Sequence, residues 1–456
     1  MGQTVASMKR WFGPMDAESF RAQLMRGGAG ALAVRVLSLL ASVASSAVLA
    51  RVLGAADYGV YAFVFAVLTT LALPVQLGLP TLIVRETARA AALEDWARLR
   101  GIWSWATRAV LLGSALMVAL VLGGLAIGSS QIEPSRAHAF LWGLPLVPLL
   151  ALGRARAAAL RGLRRVFLGQ FPDQALRPAL LAALVGLSQV FIGSASAGDA
   201  LALHSLAAFI SFVLGAYLLL KATPDSVRQT RERTVDHPGW LRAVIPLSLI
   251  SALQVISQNT DLMMLGFMRT DAEVGLYKAA VTAASPAMFG LTVFNIVLQP
   301  YIAQMHAKQD NARLQQMVSV GALAGMVVTA PVVLALIFAG RPILMIAFGA
   351  EYGDAHLSLA ILAVSQGVNA FFGSVGNLLT MSGNERDSVR GLCFSALANV
   401  ALNAILIPRW GIDGAAIGTG ASIVMWNVLF WLSARSRLGI DSTPVYIVAK
   451  AMRRRG

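Results

Sequence analysis

The sequence predicts an all-α polytopic membrane protein of about twelve transmembrane helices, arranged as two six-helix halves. Three observations predict it. Of the 456 residues, 57% are hydrophobic and only 13% are charged, with a mean hydropathy of +0.69. Soluble domains carry about 25% charged residues, and a soluble chain of this length could not hide so much apolar surface. Apolar stretches of about 20 residues, the length that spans a bilayer as a helix, recur along the whole chain. Basic residues gather in alternate connections between those stretches, as the positive-inside bias requires.

Twelve spans are read, in order, at 29–53, 58–80, 106–128, 137–153, 175–194, 200–220, 242–267, 275–300, 315–340, 356–381, 389–408 and 412–434. The fourth is interrupted by Pro145 and Pro148. Residues 1–28 are read as a cytoplasmic interfacial segment, anchored by Trp11, Phe12 and Phe20, with no cleavable signal pattern. With the N-terminus inside, 30 of the 37 Lys and Arg fall in inner connections, five in outer ones, and two, Arg35 and Lys278, within spans. One missed or invented span would scramble that alternation. The longest inner connection, 221–241, is polar and proline-punctuated and lies between six spans on either side. It predicts an N-terminal lobe at 29–220, a C-terminal lobe at 242–434 and a basic cytoplasmic tail at 435–456. An echo between L-G-A-A-D-Y-G-V-Y (53–61) and L-G-F-M-R-T-D-A-E-V-G-L-Y (265–277) pairs Gly59 and Tyr61 with Gly275 and Tyr277.

The same residues exclude several functions. The net charge of +15 is distributed among spans rather than on one face, which argues for topology and against nucleic acid. A lone Cys393 rules out an intramolecular disulfide framework. The five histidines, at 138, 204, 237, 306 and 356, form no metal or catalytic spacing, and no nucleophile motif or phosphate-cradling glycine loop is present. Neither catalysis nor a cofactor is expected.

Polar residues inside spans are the candidate site. Gln254, Gln258 and Asp261 fall within about 60° of one another on the seventh span, and a carboxylate at that depth faces a cavity or a partner rather than lipid. Two readings stay open: a proton- or cation-sensitive wall, or a pair with Lys278 on the next helix. On the tenth span Gln366, Asn369, Gly373, Asn377 and Thr380 share an arc of roughly 80°. Such amides suit sugar hydroxyls, and equally suit contacts between helices; Asn399 and Asn403 on the eleventh span pose the same choice. Arg35, with Ser38, Ser42 and Ser45, makes a polar face on the first span. It is read either as a fork for a diphosphate or as a side chain snorkelling to headgroups. Arg154, Arg156, Arg161, Arg164, Arg165 and Arg177 form the densest basic patch, placed at the cytoplasmic mouth. There they would attract anionic membrane lipids or gather an anionic substrate.

Three blocks carry a family resemblance: A-R-V-L-G-A-A-D-Y-G-V-Y (50–61), V-G-L-Y-K-A-A (274–280) and L-N-A-I-L-I-P-R-W-G-I-D-G-A-A-I-G-T (402–419). In this order and with twelve spans, they resemble the O-antigen and exopolysaccharide flippases of the multidrug/oligosaccharidyl-lipid/polysaccharide exporter superfamily. The resemblance implies a central cavity between the two bundles that opens alternately to either side. It also implies transport of an undecaprenyl-diphosphate-linked oligosaccharide from the cytoplasmic to the periplasmic leaflet of a bacterial inner membrane. Both termini would be cytoplasmic, and a polysaccharide polymerase or ligase is a candidate partner. Two neighbouring functions are set against it. A cation-coupled multidrug exporter would want an acidic, aromatic cavity, whereas the spans here hold one carboxylate against Arg35 and Lys278. Resemblance to a lipid-linked peptidoglycan precursor flippase would imply fourteen spans.

Overall fold

The computed structural model describes residues 29–447 except 77, 129–132, 194 and 231. The anchors expected at Trp11, Phe12 and Phe20 and the tail beyond 447 lie outside the described residues. So do the side chains of 245–258, those of Gln254 and Gln258 among them.

Among the described residues the chain is helical with no strand, and it makes twelve traverses. The helix Ala29–Leu71 holds the first two, folded back at Gly54, whose φ of 72° breaks the helix. A side chain at that φ would clash with its own backbone, so glycine sets the turn. The second traverse runs on through Leu73–Gln76 and Leu79–Ala92. Trp96–Ile127 is the third, and Pro134–Gly143 with Leu146–Gly162 the fourth, interrupted at Pro145 as expected. The fifth passes from Val166–Phe171 through a π-turn to Arg177–Ile192, and Ala197–Ala222 is the sixth. His237–Met268 makes the seventh. Asp271–Ala284 and Phe289–Ala307, joined by a 3-10 turn, make the eighth. The ninth is Asn311–Ala347, and the tenth is His356–Phe372 with Val375–Met381. Glu385–Leu438 contains the last two, turned at Gly411. Eight described segments are long and apolar enough to cross a bilayer, and the chain is a multi-pass membrane protein.

Several traverses begin earlier than hydropathy places them, and in two of them a cap is the reason. The third starts at Trp96 and the seventh at His237, because Asp95 and Asp236 cap free N–H groups of Arg98 and Gly239 at 2.9 and 3.0 Å. Capping extends a helix past its apolar stretch, and a hydropathy window does not register it.

The cores show how the lobes meet. At the end away from most of the basic residues, one continuous cluster joins Tyr58, Tyr61 and Phe63 of the N-terminal lobe to Leu265, Tyr277 and Tyr352 of the C-terminal lobe. At the basic end the cores are separate. One gathers Leu82, Ile102 and Ala158 with Trp240, and another gathers Ile302, Val318 and Leu378 with Ile440. Among the described residues the apolar core is therefore continuous between the lobes at one end and split into separate clusters at the other.

The seal is a backbone-to-backbone crossing of the second and eighth traverses. A Cβ on Gly59 would stand 1.7 Å from the Asp271 carbonyl oxygen, and one on Gly275 would stand 2.1 Å from that of Ala55. The two glycines of the sequence echo thus face each other. Polar contacts ring the crossing. Arg136 forks onto Asp271 at 2.7 and 3.3 Å and lies over the Phe63 ring. Glu351 accepts from the Ala55 N–H at 2.9 Å, a carboxylate on the free start of a helix. Arg51 donates to the Ala347 carbonyl at 3.0 Å and to that of Ile346, the free end of the ninth traverse.

The connection between lobes is seated rather than loose. Thr234 N–H donates to the Ala97 carbonyl at 3.1 Å, and Arg100 reaches the Thr230 carbonyl. Trp240 is buried against Trp105. After the last traverse, residues 440–444 return to the C-terminal lobe. Asp441 exchanges hydrogen bonds with Gln315 and accepts from Trp431 at 3.0 Å, while Ser442 donates to the Phe372 carbonyl at 2.8 Å. This covers a carbonyl freed where the tenth traverse breaks at Gly373, φ 65°.

Gly275→Val should lower the thermal unfolding midpoint of the purified protein by the equivalent of about 1–3 kcal/mol, the usual cost of overpacking. Gly123→Val, where nothing lies within 4 Å of the added Cβ, is the control and should leave the midpoint unchanged.

Candidate functional site

Two polar centres lie inside the bundles, one per lobe, and they differ in charge. In the C-terminal lobe Asp261 is buried on the seventh traverse. Its Oδ2 accepts from the Tyr277 hydroxyl at 2.6 Å and the Thr419 hydroxyl at 3.1 Å, and its Oδ1 from the Leu262 N–H at 2.8 Å. Among the described residues no cation stands within 4 Å of it, so Lys278, considered from sequence as its pair, makes no direct ion pair with it and acts on it only at longer range. Tyr277 supplies the contact instead, one residue earlier on the same helix. Hydroxyls donate and accept alike, so the same cage accommodates a carboxylate or a carboxylic acid. Among the described residues the half-buried Lys278 ammonium makes neither a hydrogen bond nor a contact ion pair.

The N-terminal lobe is cationic. Arg156, almost fully buried, donates to Asp173 Oδ2 at 2.5 Å and to the carbonyls of Ser211 and Phe212 at 2.9 Å each. Gly215 leaves the room: a Cβ there would stand 1.9 Å from Arg156 Nη1. Arg154 reaches the buried Gln76. Arg177 donates to the Asp173 backbone carbonyl at 3.3 Å and to His204 Nε2 at 2.9 Å. His204 Nδ1 lies 2.8 Å from the Tyr61 hydroxyl. The cluster draws on the second, fourth, fifth and sixth traverses. Pro172 helps to shape it: the helix widens to a π-turn over Pro172–Leu176, closed by the Arg177 N–H on the Pro172 carbonyl. Three guanidiniums therefore surround one carboxylate, and that carboxylate is taken by Arg156. An interior cation without a partner carboxylate is costly to desolvate, which marks the cluster as a place for an anion.

The other sequence candidates fall into three groups. Arg161, Arg164 and Arg165 do lie at the turn between the fourth and fifth traverses. Arg154, Arg156 and Arg177 do not stand at a mouth. The fifth helix starts at Val166, so Arg177 is three turns inside it, and Arg154 and Arg156 are about two turns above the end of the fourth. Arg35 and Ser42 are exposed and Ser38 is half-buried on the first traverse, and among the described residues nothing holds the Arg35 guanidinium. The stripe on the tenth traverse is not continuous. Gly373 ends one helix and Ser374 starts another, so Asn377 is not in register with Gln366 and Asn369. Asn369 bonds Gln366 at 3.4 Å and accepts from Asn427 at 3.0 Å, while Asn403 donates to Asn399 at 3.2 Å. These contacts join amides within and between helices.

Sequence reading missed His204, Tyr61, Asp173 and Gln76. The histidine matched no metal or catalytic spacing, and its role depends on three helices meeting. A usable signal was present: His204, like Asp261, is ionisable and sits within an apolar span.

Comparisons with known proteins fit this architecture. Residues 24–306 match a family described as polysaccharide biosynthesis protein. The probable low-salt glycan biosynthesis flippase Agl15 of Haloferax volcanii is 25% identical over 169 residues, covering 37% of this chain and 36% of that protein. The match thus spans little more than a third of the curated relative. Two solved structures share the fold. One is the inward-facing conformation of a multidrug resistance MATE family transporter of the MOP superfamily, with a TM-score of 0.72, 14% identity, and coverage of 88% of this chain and 94% of that one. The other is the lipid II flippase MurJ in an inward closed conformation, with a TM-score of 0.68, 14% identity, and coverage of 90% and 87%.

Tyr277→Phe removes one donor from the buried Asp261 and should cost about 1–3 kcal/mol of stability. The combination with Asp261→Asn should cost less than the two changes summed, since both touch one hydrogen bond; thermal unfolding in detergent reads both.

Proposed function

The chain belongs to the family of polysaccharide biosynthesis proteins, and from that premise we propose that it is a flippase for an undecaprenyl-diphosphate-linked oligosaccharide. It carries this substrate from the cytoplasmic to the periplasmic leaflet of a bacterial inner membrane, by alternating access, for a surface polysaccharide of the O-antigen or exopolysaccharide kind. The observation that carries the reading is the surplus of arginine over carboxylate inside the N-terminal lobe, around Arg154, Arg156, Asp173 and Arg177. Guanidinium forks suit diphosphate oxygens, and organic cations would be repelled there.

The positive-inside bias assigns the basic end, and with it both termini, to the cytoplasm. Among the described residues the cores are separate at that end and continuous at the other, which supports entry of substrate from inside. The lobes, predicted at 29–220 and 242–434, rock about the seal. Arg161, Arg164 and Arg165 draw anionic headgroups to the entrance at about 1 kcal/mol each, and Arg35 offers an exposed guanidinium on the way in. An apolar crevice of about 390 Å³ between the first, eighth and ninth traverses, lined by Val43, Ala283, Pro286, Pro331, Val332 and Leu336, suits the prenyl chain. The amides Gln366, Asn369 and Asn377 offer contacts to sugar hydroxyls. Asp261, caged by hydroxyls that tolerate either protonation state, is the candidate coupling residue. A polymerase or ligase is the partner class that would consume the product.

The test is leaflet translocation of an undecaprenyl-diphosphate oligosaccharide in reconstituted vesicles. Arg154→Ala and Arg177→Ala should each slow it about 10-fold or more, the range expected for a lost bond to a charged group, with Arg35→Ala weaker. Export of organic cations with no movement of the lipid-linked sugar would replace this reading with that of a multidrug exporter.

A further inference from the structure

Arg177 is held in an unusual way for an interior cation. The carboxylate nearest to it, on Asp173, is engaged by Arg156, and Arg177 instead leans on a backbone carbonyl and on His204. A guanidinium can only donate, so His204 Nε2 must accept. Its Nδ1 therefore carries the ring proton and donates to the Tyr61 oxygen at 2.8 Å. A protonated His204 could not accept from Arg177 and would set two cations side by side. The ring is neutral while Arg177 is in place. Facing it are Tyr61 and Phe65 from the second traverse and Arg177 from the fifth.

The contacts continue from Tyr61 to the interlobe seal. Tyr61 stacks on Tyr58 with centroids 6.3 Å apart and planes 11° apart. Tyr58 meets the edge of Tyr352 at 6.3 Å and shares a hydrogen bond with Ser46, which donates to Thr282 at 3.3 Å. Tyr352 and Thr282 belong to the C-terminal lobe. An unbroken line of buried groups thus joins a cation without a partner carboxylate to the surface where the lobes close.

We propose that His204 is a positioning residue that ties the Arg177 guanidinium to the far-end seal, so that an anion taking Arg177 loosens the seal. The proposal rests on the flippase reading for the nature of the anion, a diphosphate, but not for the lock itself. When the site is empty, Arg177 fixes the His204 ring, the ring fixes the Tyr61 hydroxyl, and the tyrosine stack holds its place between the lobes. When a diphosphate draws Arg177 away, the ring loses its donor and is free to turn, and the stack loses its anchor. Binding at the basic side would then favour opening on the other side, the order of events that alternating access needs. Simple core packing would account for Tyr58 and Tyr61, but not for a polar chain that ends on a cation.

Hydrogen–deuterium exchange of the full-length protein in nanodiscs tests the lock without any substrate. Segments 55–61 and 271–277 report the seal. His204→Leu and Arg177→Ala should each speed exchange in both segments about tenfold, and the double variant should go no further than either. His204→Gln, whose amide can accept from Arg177 and donate to Tyr61, should restore native exchange. Inorganic pyrophosphate added to native protein should speed the same two segments and have no effect on His204→Leu. Native exchange in His204→Leu, or independent addition of the two effects, overturns the lock. If the variants behave as expected but pyrophosphate does nothing in native protein, the lock stands and the diphosphate reading fails instead.

Discussion

Two backbones in contact without side chains between them set the geometry of this molecule. Helices normally pack with axes held apart by their side chains, and only glycine on both partners lets the second and eighth traverses touch at Gly59 and Gly275. Once they touch, the aromatic residues that follow in each repeat, Tyr61 and Tyr277, fall to either side and point into their own lobe. One anchors to His204 and the other to Asp261. The single core at the sealed end, the ring of ion pairs and caps around it, and the division at the basic end all follow from that crossing.

The near-repeat of the sequence has been put to two electrostatic uses. In the N-terminal lobe the tyrosine meets a neutral imidazole backed by a guanidinium, within a cluster richer in arginine than in carboxylate. In the C-terminal lobe it meets a carboxylate held by hydroxyls and, among the described residues, without a direct ion pair. On the proposed reading the first arrangement would receive an anion, and the second would exchange a proton or a small cation without unbalancing its surroundings. A flippase of the proposed kind would gain from keeping these tasks in separate halves, because each half would respond while the other is held.

Much of this was legible before the fold. Composition and the alternation of charge gave the class of protein and the count of traverses, and the paired D-Y-G-V-Y and E-V-G-L-Y turns pointed to two related halves but not to the contact between their glycines. Asp261 was legible as a buried ionisable group. What could not be read was anything that depended on a third helix. Lys278 looked like the partner of Asp261 because both are charged and consecutive helices carry them, yet Tyr277 points the right way. Arg177 was placed at the mouth because hydropathy started the fifth span only two residues before it, at 175, whereas the helix already begins at Val166. The stripe from Gln366 to Asn377 assumed an unbroken helix, and Gly373 breaks it. The first error lay in which side chain of a neighbouring helix meets Asp261, and the other two in where a helix starts and where it breaks.

The central claim is that the sealed and divided ends exchange roles about the glycine crossing. Its most direct test is a pair of pulsed electron-spin distance measurements in a Cys393→Ser background. One pair of labels replaces Glu133 and Asp354 near the sealed end, and the other replaces Arg164 and Lys308 at the basic end. The account predicts that adding undecaprenyl diphosphate lengthens the first distance and shortens the second. If the ligand binds while both distances stay fixed, or both change in the same direction, the two lobes do not pivot on this crossing and the account is wrong.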